Sequence, residues 1–199
     1  DGAQADEAQS FIPNREIAFR AAEGRYIDGT STVVDINNPD DKHIRTTVVA
    51  AVGAPAVRRM MIEKWPGENF GNIISEHAVV DETASIGEGN IIAPRVVITT
   101  NVTIGNHNIF NIGSTISHDC KFGDFVTVSP GAHIGGRVIL GDGVFIGIGA
   151  TVKNNIQIAP GVVIGAGAVV TKNIDEENSV YVGVPAKMTS QNEGWLREV

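Results

Sequence analysis

Residues 98–128 read ITTNVTIGNHNIFNIGSTISHDCKFGDFVTV, with an aliphatic or phenylalanine side chain at every sixth place: Ile98, Ile104, Phe110, Ile116, Phe122 and Val128. The same phase runs back to Ile74 and forward to Val170 without a miss. At a hydrophobic fraction of 42%, such a run has a chance probability on the order of 10⁻⁶, even after choosing among six phases. A six-residue period is a solenoid signature, in which each repeat buries its apolar side chain only by stacking on its neighbours. The residue two before each marker is mostly small or β-branched, as at Val96, Val102, Ser114, Cys120, Val126 and Ala132. Strand alternation sends it to the same inward side. Gly often follows the marker, as at Gly87, Gly105, Gly123, Gly135, Gly141, Gly147 and Gly165. These glycines suit tight corners with positive φ. The fold expected is mainly β: a parallel β-helix with three hexads per coil and roughly five coils stacked at about 4.8 Å.

Outward from this run the pattern changes. Residues 1 to about 32 suggest one helix around Asn14 to Glu23, after Pro13 and before Gly24. Val33-Val34-Asp35 reads as a short strand ending in an acidic residue, and Asn37 to Asp41 as a loop. Val48 to Val52 reads as a buried strand broken by Gly53. Pro55 then opens a helix with Val57, Met60, Met61 and Lys64 at helical spacing. This order suggests a small α/β layer. The expected division is 1–67 for that layer, 68–188 for the β-helix, and 189–199 for a tail or short helix around Trp195 and Leu196.

The formal net charge is −8, and the 15 Lys and Arg residues form no basic cluster. This argues against nucleic acid or an anionic membrane as partner. A single Cys excludes a disulfide framework and suggests a reducing, cytoplasmic setting. No stretch reaches the length of a membrane span.

A core one side chain wide is scaffold, so chemistry must lie on faces, corners or ends. His118 and Asp119 are adjacent and fall at a corner, not at inward positions. A carboxylate beside a histidine fixes its tautomer or raises its basicity, as a general base requires. His77, His107 and His133 also fall away from inward positions and read as ordinary exposed residues. The histidine spacings, 107 to 118 and 118 to 133, do not suit a zinc site with two histidines five apart near a third. Cys120 falls in an inward slot, where an inert thiol is expected.

The hexads, the His118-Asp119-Cys120 corner and the ending Gly183-Val184-Pro185-Ala186-Lys187 together resemble the left-handed β-helix sugar acetyltransferases. The branch is that of the sialic acid O-acetyltransferases and the bacillosamine and perosamine N-acetyltransferases. The resemblance covers about residues 48 to 188. It implies a left-handed helix, a homotrimer, acetyl-CoA as donor and no metal. His118 matches the general base and Asp119 its acidic neighbour. Asn111, Thr127, Gly136, Ile148 and Ala166 match acetyl-CoA contacts, with the Gly136 amide facing the thioester oxygen. Thr127 stands where relatives commonly carry His. Gly183, Pro185 and Lys187 match a loop closing over the coenzyme. Relatives hold the nucleotide sugar in a Rossmann-like N-terminal unit, in which Asp35, Gly53 and Arg58 match substrate-binding positions. The strand and Gly-rich turn that open that unit have no counterpart in residues 1–32.

The activity implied is acetyl transfer to the amine of a nucleotide-linked deoxyamino sugar. Alternatives are O-acetylation of a sugar hydroxyl, an acyl-carrier-protein-dependent O-acyltransferase, and a non-catalytic scaffold.

Overall fold

The computed structural model describes residues 2–11, 20–22 and 33–198. From Ile73 to Val170 the chain makes seventeen two-residue strands, three to a coil and nearly six coils in all. Each strand up to Thr151–Val152 pairs in parallel with the one 18 positions along, as Ile73 with Ile91 and Thr115 with His133. The strands therefore stack into three sheets, which form the three faces of a prism. Every marker from Ile92 to Val170 is buried, and so is Cys120. Three hexads per coil and an uninterrupted column are as the period requires.

The glycines after the markers play a different part from the one their position suggests. Positive φ falls two residues later, at the second residue of the corners, as in Gly89, His107, Phe125 and Gly143. What the marker glycines supply is clearance. A Cβ on Gly147 would lie 2.6 Å from Ala166 N, and one on Gly135 would lie 2.6 Å from Asn154 N. Coil stacking there brings backbone against backbone, which leaves room for hydrogen only.

The three faces differ on the outside. On the face built from Ile91–Ile92, Ile109–Phe110, Thr127–Val128, Phe145–Ile146 and Val163–Ile164, even the outward residues are buried, from Thr127 at 1% to Phe145 and Val163 at 8%. We call it the covered face. The face carrying Ser85, Thr103, Lys121 and Gln157 outward is exposed and polar except at Ile139. Thr115, His133 and Thr151 point out from the third, mixed face.

The cover comes from both ends of the chain. Helix Pro55–Lys64 starts with Pro at its first turn, where a missing N–H costs nothing. Its buried positions are Pro55 and Arg58, while Met60 is exposed, so the face it turns inward is not the one its apolar spacing suggests. Residues 48–52 form no strand. Val48 makes one isolated bridge to Phe70, and Val52 gives its carbonyl to Arg58 instead of to a ladder. Ala8 and Phe11, from helix Gly2–Ser10 and just after it, are buried in the same apolar cluster as the column.

Arg20–Ala22 is a strand, paired in parallel with Val33–Asp35, where the sequence suggested a helix from Asn14 to Glu23. The rest of that span lies outside the described residues. Strand Ser179–Val182 extends the covered face and turns antiparallel into Lys187–Gln191, which runs across the boundary expected at 188. Beyond it Trp195 packs on Phe125, under the Arg59 guanidinium, against Gly143 and Gly161. Ala56 N–H donates to Leu196 O at 3.1 Å. The last residues are thus a docked segment, not a helix. No helix among the described residues is long and apolar enough to cross a membrane.

Candidate active site at the corner of His118

The corner at residues 118–119 joins the mixed face to the polar one. Asp119 has φ 60°, a conformation that Asp tolerates better than most side chains. Its N–H donates to Thr100 O at 3.0 Å, one coil back, and Arg137 N–H donates to His118 O at 2.9 Å from the coil ahead. The backbone is therefore held on both sides. Above it, His118 Nδ1 lies 2.8 Å from Asp119 Oδ2, with the two side chains 48% and 45% exposed. Asn101 Nδ2–H donates to the other oxygen, Oδ1, at 3.3 Å. The hydrogen bond from His118, then that from Asn101, holds the Asp119 carboxyl below its ordinary range.

An ionised carboxylate can only accept. Nδ1 of His118 therefore carries the proton, and Nε2 presents its lone pair. Nε2 faces Gly136, where a Cβ would stand 2.7 Å from it. Gly136 is not at positive φ, so its requirement here is space for the imidazole. Its N–H donates to nothing among the described residues, while its carbonyl accepts from Asn155 N–H at 2.9 Å. One corner thus offers a base with an oriented lone pair beside an unengaged amide donor, which is the equipment of proton abstraction coupled to oxyanion stabilisation.

The other candidate residues separate into two groups. Asn111, Ile148 and Ala166 lie along the corner between the covered and mixed faces, where Ile148 is 63% exposed. The turn at Gly183 to Ala186 caps that same corner: Val169 N–H donates to Gly183 O and Ala186 N–H to Val169 O. Pro185 lies in this turn, and Lys187 begins the strand after it. This edge offers exposed aliphatic surface, small residues and one terminal cation, which suits a long thioester arm ending in phosphates. Within one chain it is a different edge of the prism from that of His118.

Thr127, Gly53 and Arg58 form the second group, and the structure commits them to one another. Thr127 is buried, and its hydroxyl donates to Gly53 O at 2.7 Å and accepts from Arg58 Nη2 at 3.0 Å. Arg58 is fully buried and also donates to His107 O, Val52 O, Gly53 O, Phe125 O and Val126 O. Burial pushes its pKa down to about 9, so at neutral pH it stays protonated. Its donors are spent on the scaffold, with none turned toward a ligand. Thr127 likewise has no free polar atom for an acyl donor. Asp35 ends strand Val33–Asp35 opposite Ala22.

The remaining histidines and the thiol are not drawn together. His133 Nδ1 meets Thr115 Oγ1 at 2.8 Å. His107 is buried, contrary to its expected exposure, stacked on Phe125 and edge-on to Phe70. Cys120 donates to Gly135 O at 3.1 Å, and burial raises its pKa. No group of three or more His, Cys, Asp or Glu residues suited to a metal occurs among the described residues. Sequence reasoning passed over Asn101. A polar residue 18 positions before Asp119, one coil away once the period is known, was the available signal.

Residues 137–172 match the bacterial transferase hexapeptide model, which describes six repeats. No curated protein sequence matches the chain. Among solved structures, a histidine-to-asparagine variant of perosamine N-acetyltransferase from Caulobacter crescentus, in complex with CoA and GDP-perosamine, is similar with a TM-score of 0.79 and 24% identity. The match covers 96% of this chain and 94% of that one. The acetyltransferase domain of PglB from Neisseria gonorrhoeae, in complex with acetyl coenzyme A, gives a TM-score of 0.80 at 25% identity, over 94% and 95% of the two chains. WeeI from Acinetobacter baumannii gives 0.78 at 28%, over 94% of each. Over residues 137–172 the repeat is that of the hexapeptide transferases, and the fold of the chain is similar to that of those acetyltransferases.

Proposed function

We propose that the protein transfers an acetyl group from acetyl-CoA to the amine of a nucleotide-linked deoxyamino sugar. The observation that carries this reading is the His118 Nδ1–Asp119 Oδ2 contact of 2.8 Å, which leaves Nε2 beside Gly136. Nε2 takes a proton from the amine as its nitrogen attacks the thioester carbon. The Gly136 N–H receives the developing oxyanion. The C–S bond then breaks, and the imidazolium returns the proton to the departing thiolate. Asp119 supports the imidazolium.

The acetyl-CoA arm lies along the edge of Asn111, Ile148, Ala166 and the Gly183–Lys187 turn. Because that edge and His118 are on different corners of one prism, the reading places the reaction in a groove between copies, in a homotrimer. On this reading the parallel pair Arg20–Ala22 and Val33–Asp35 belongs to a Rossmann-like unit that holds the nucleotide sugar. The solved relatives crystallised with CoA, acetyl-CoA and GDP-perosamine support the pairing of donor and acceptor.

The test is coenzyme A release across a panel of nucleotide-linked 4-amino sugars and sialic acid. Release with an amino sugar, lost by roughly 10² to 10⁴ in His118→Ala with assembly intact, is the expected result. Release with sialic acid alone, or an active His118→Ala enzyme, overturns it.

A further inference from the structure

The corner before His118 carries a chain of side-chain hydrogen bonds that the base alone does not require. Thr83 Oγ1 donates to Asp81 Oδ1 at 2.5 Å and accepts from Asn101 N–H at 2.8 Å. Asn101 Nδ2–H then donates to Asp119 Oδ1 at 3.3 Å, one coil on, and Asp119 Oδ2 meets His118 Nδ1. The corner between the polar and covered faces has a similar ladder, in which Asp124 Oδ1 accepts from both the backbone N–H and the Nδ2–H of Asn106, and Asp142 Oδ1 from Asp124 N–H. What sets the His118 corner apart is that the carboxylate reached by the Asn amide has its second oxygen on an imidazole.

A carboxylate with only one oxygen engaged can rotate about its Cβ–Cγ bond, and the neighbouring imidazole then loses its fixed tautomer. Holding both oxygens removes that freedom. Asn101 itself stands at φ 57°, a conformation favouring Asn or Gly over other residues, and its N–H is held by Thr83. Its amide is thereby aimed along the corner at Asp119. We infer that Asn101 is a positioning residue for the reaction, acting through Asp119 to keep the His118 proton on Nδ1 and the lone pair on Nε2. This rests on the reading of His118 as general base.

Gly at 101 accepts the same backbone conformation and deletes only the amide. Asn101→Gly should lower turnover roughly three- to tenfold, the worth of one hydrogen bond, with KM for acetyl-CoA unchanged. In the Asp119→Ala background the same change should do nothing further, because the residue through which it acts is gone. Equal losses in both backgrounds, or no loss in the first, overturn the inference. A readout free of activity separates it from the functional proposal. With ¹⁵N-labelled histidine, His118 in the unaltered protein should be the Nδ1–H tautomer when neutral, and Asn101→Gly should move it toward the Nε2–H form. An unchanged tautomer overturns the positioning role, whatever the acetylation panel shows. No coenzyme A release with any acceptor, alongside a shifted tautomer, sinks the functional reading and leaves the positioning of the imidazole standing.

Discussion

The covered face and the corner at residues 118–119 are built from the same hexad, yet they dispose of their polar atoms in opposite ways. Under the cover, Arg58 and Thr127 spend their side-chain polar atoms on each other and on the carbonyls of Val52, Gly53, His107, Phe125 and Val126. At the corner, two half-exposed side chains satisfy each other on one side and leave an imidazole nitrogen beside a backbone amide that donates to nothing among the described residues. A buried polar group must be paired or it costs folding energy, whereas a site must leave groups unpaired for its substrate.

Substitutions can break that contrast. The largest effect expected is at Arg58. Arg58→Met leaves the carbonyls of Val52, His107 and Phe125 without their donor and should cost about 3 kcal/mol or more, read as a lower denaturant midpoint. A midpoint within experimental error of the unaltered protein would mean that the guanidinium is not the pin of the cover. Next is Gly136→Ala. Its Cβ must displace the His118 ring, so turnover should fall roughly 30-fold, as for partial loss of a general base, while the melting temperature holds. Gly143→Ala reverses the pattern: φ is +65° and the Cβ falls on the Trp195 indole. It should lose about 1–2 kcal/mol of stability with turnover per folded molecule unchanged.

The smallest effect is a pH dependence. Burial lowers the His107 pKa below its ordinary 6.5. The unfolded chain therefore binds more protons than the folded one as pH drops below 6.5. The neutral imidazole's contribution is complete above that value and declines as pH falls through the folded pKa. The melting temperature should fall between pH 7.5 and 5.5, and less steeply in His107→Phe.

The contrast also explains what could be read from the chain. The column was legible because its core repeats every six residues and each inward residue meets only its neighbours 18 positions away. His118 and Asp119 were legible for a related reason: the phase leaves them outside, and they meet as sequence neighbours. Arg58 was not legible. Its partners lie as far along the chain as Phe125 and Val126, and five of its six acceptor contacts are to backbone carbonyls, which carry no residue-type signal. The same blindness assigned Thr127 to a ligand and His107 to the surface, since burial on the outward side depends on a cover that no periodicity announces. The glycines were recognised as special, but their reason was misassigned, because clearance between coils and freedom of φ ask for the same residue. Strand Arg20–Ala22, three residues long and paired only with Val33–Asp35, has too short a pattern to outweigh helical spacing around it.

The hydrogen bond from Ala56 N–H to Leu196 O bears on the order in which the protein is assembled. The coils can be added one upon another as they leave the ribosome, since each needs only the coil before it. Helix Pro55–Lys64 is synthesised before any of them, but its first turn finds this partner only in a residue made after the last coil. The docking of this helix is therefore complete only once residue 196 has been made, after the last coil. Chains cut short near Trp195 should carry a finished column with its cover still loose.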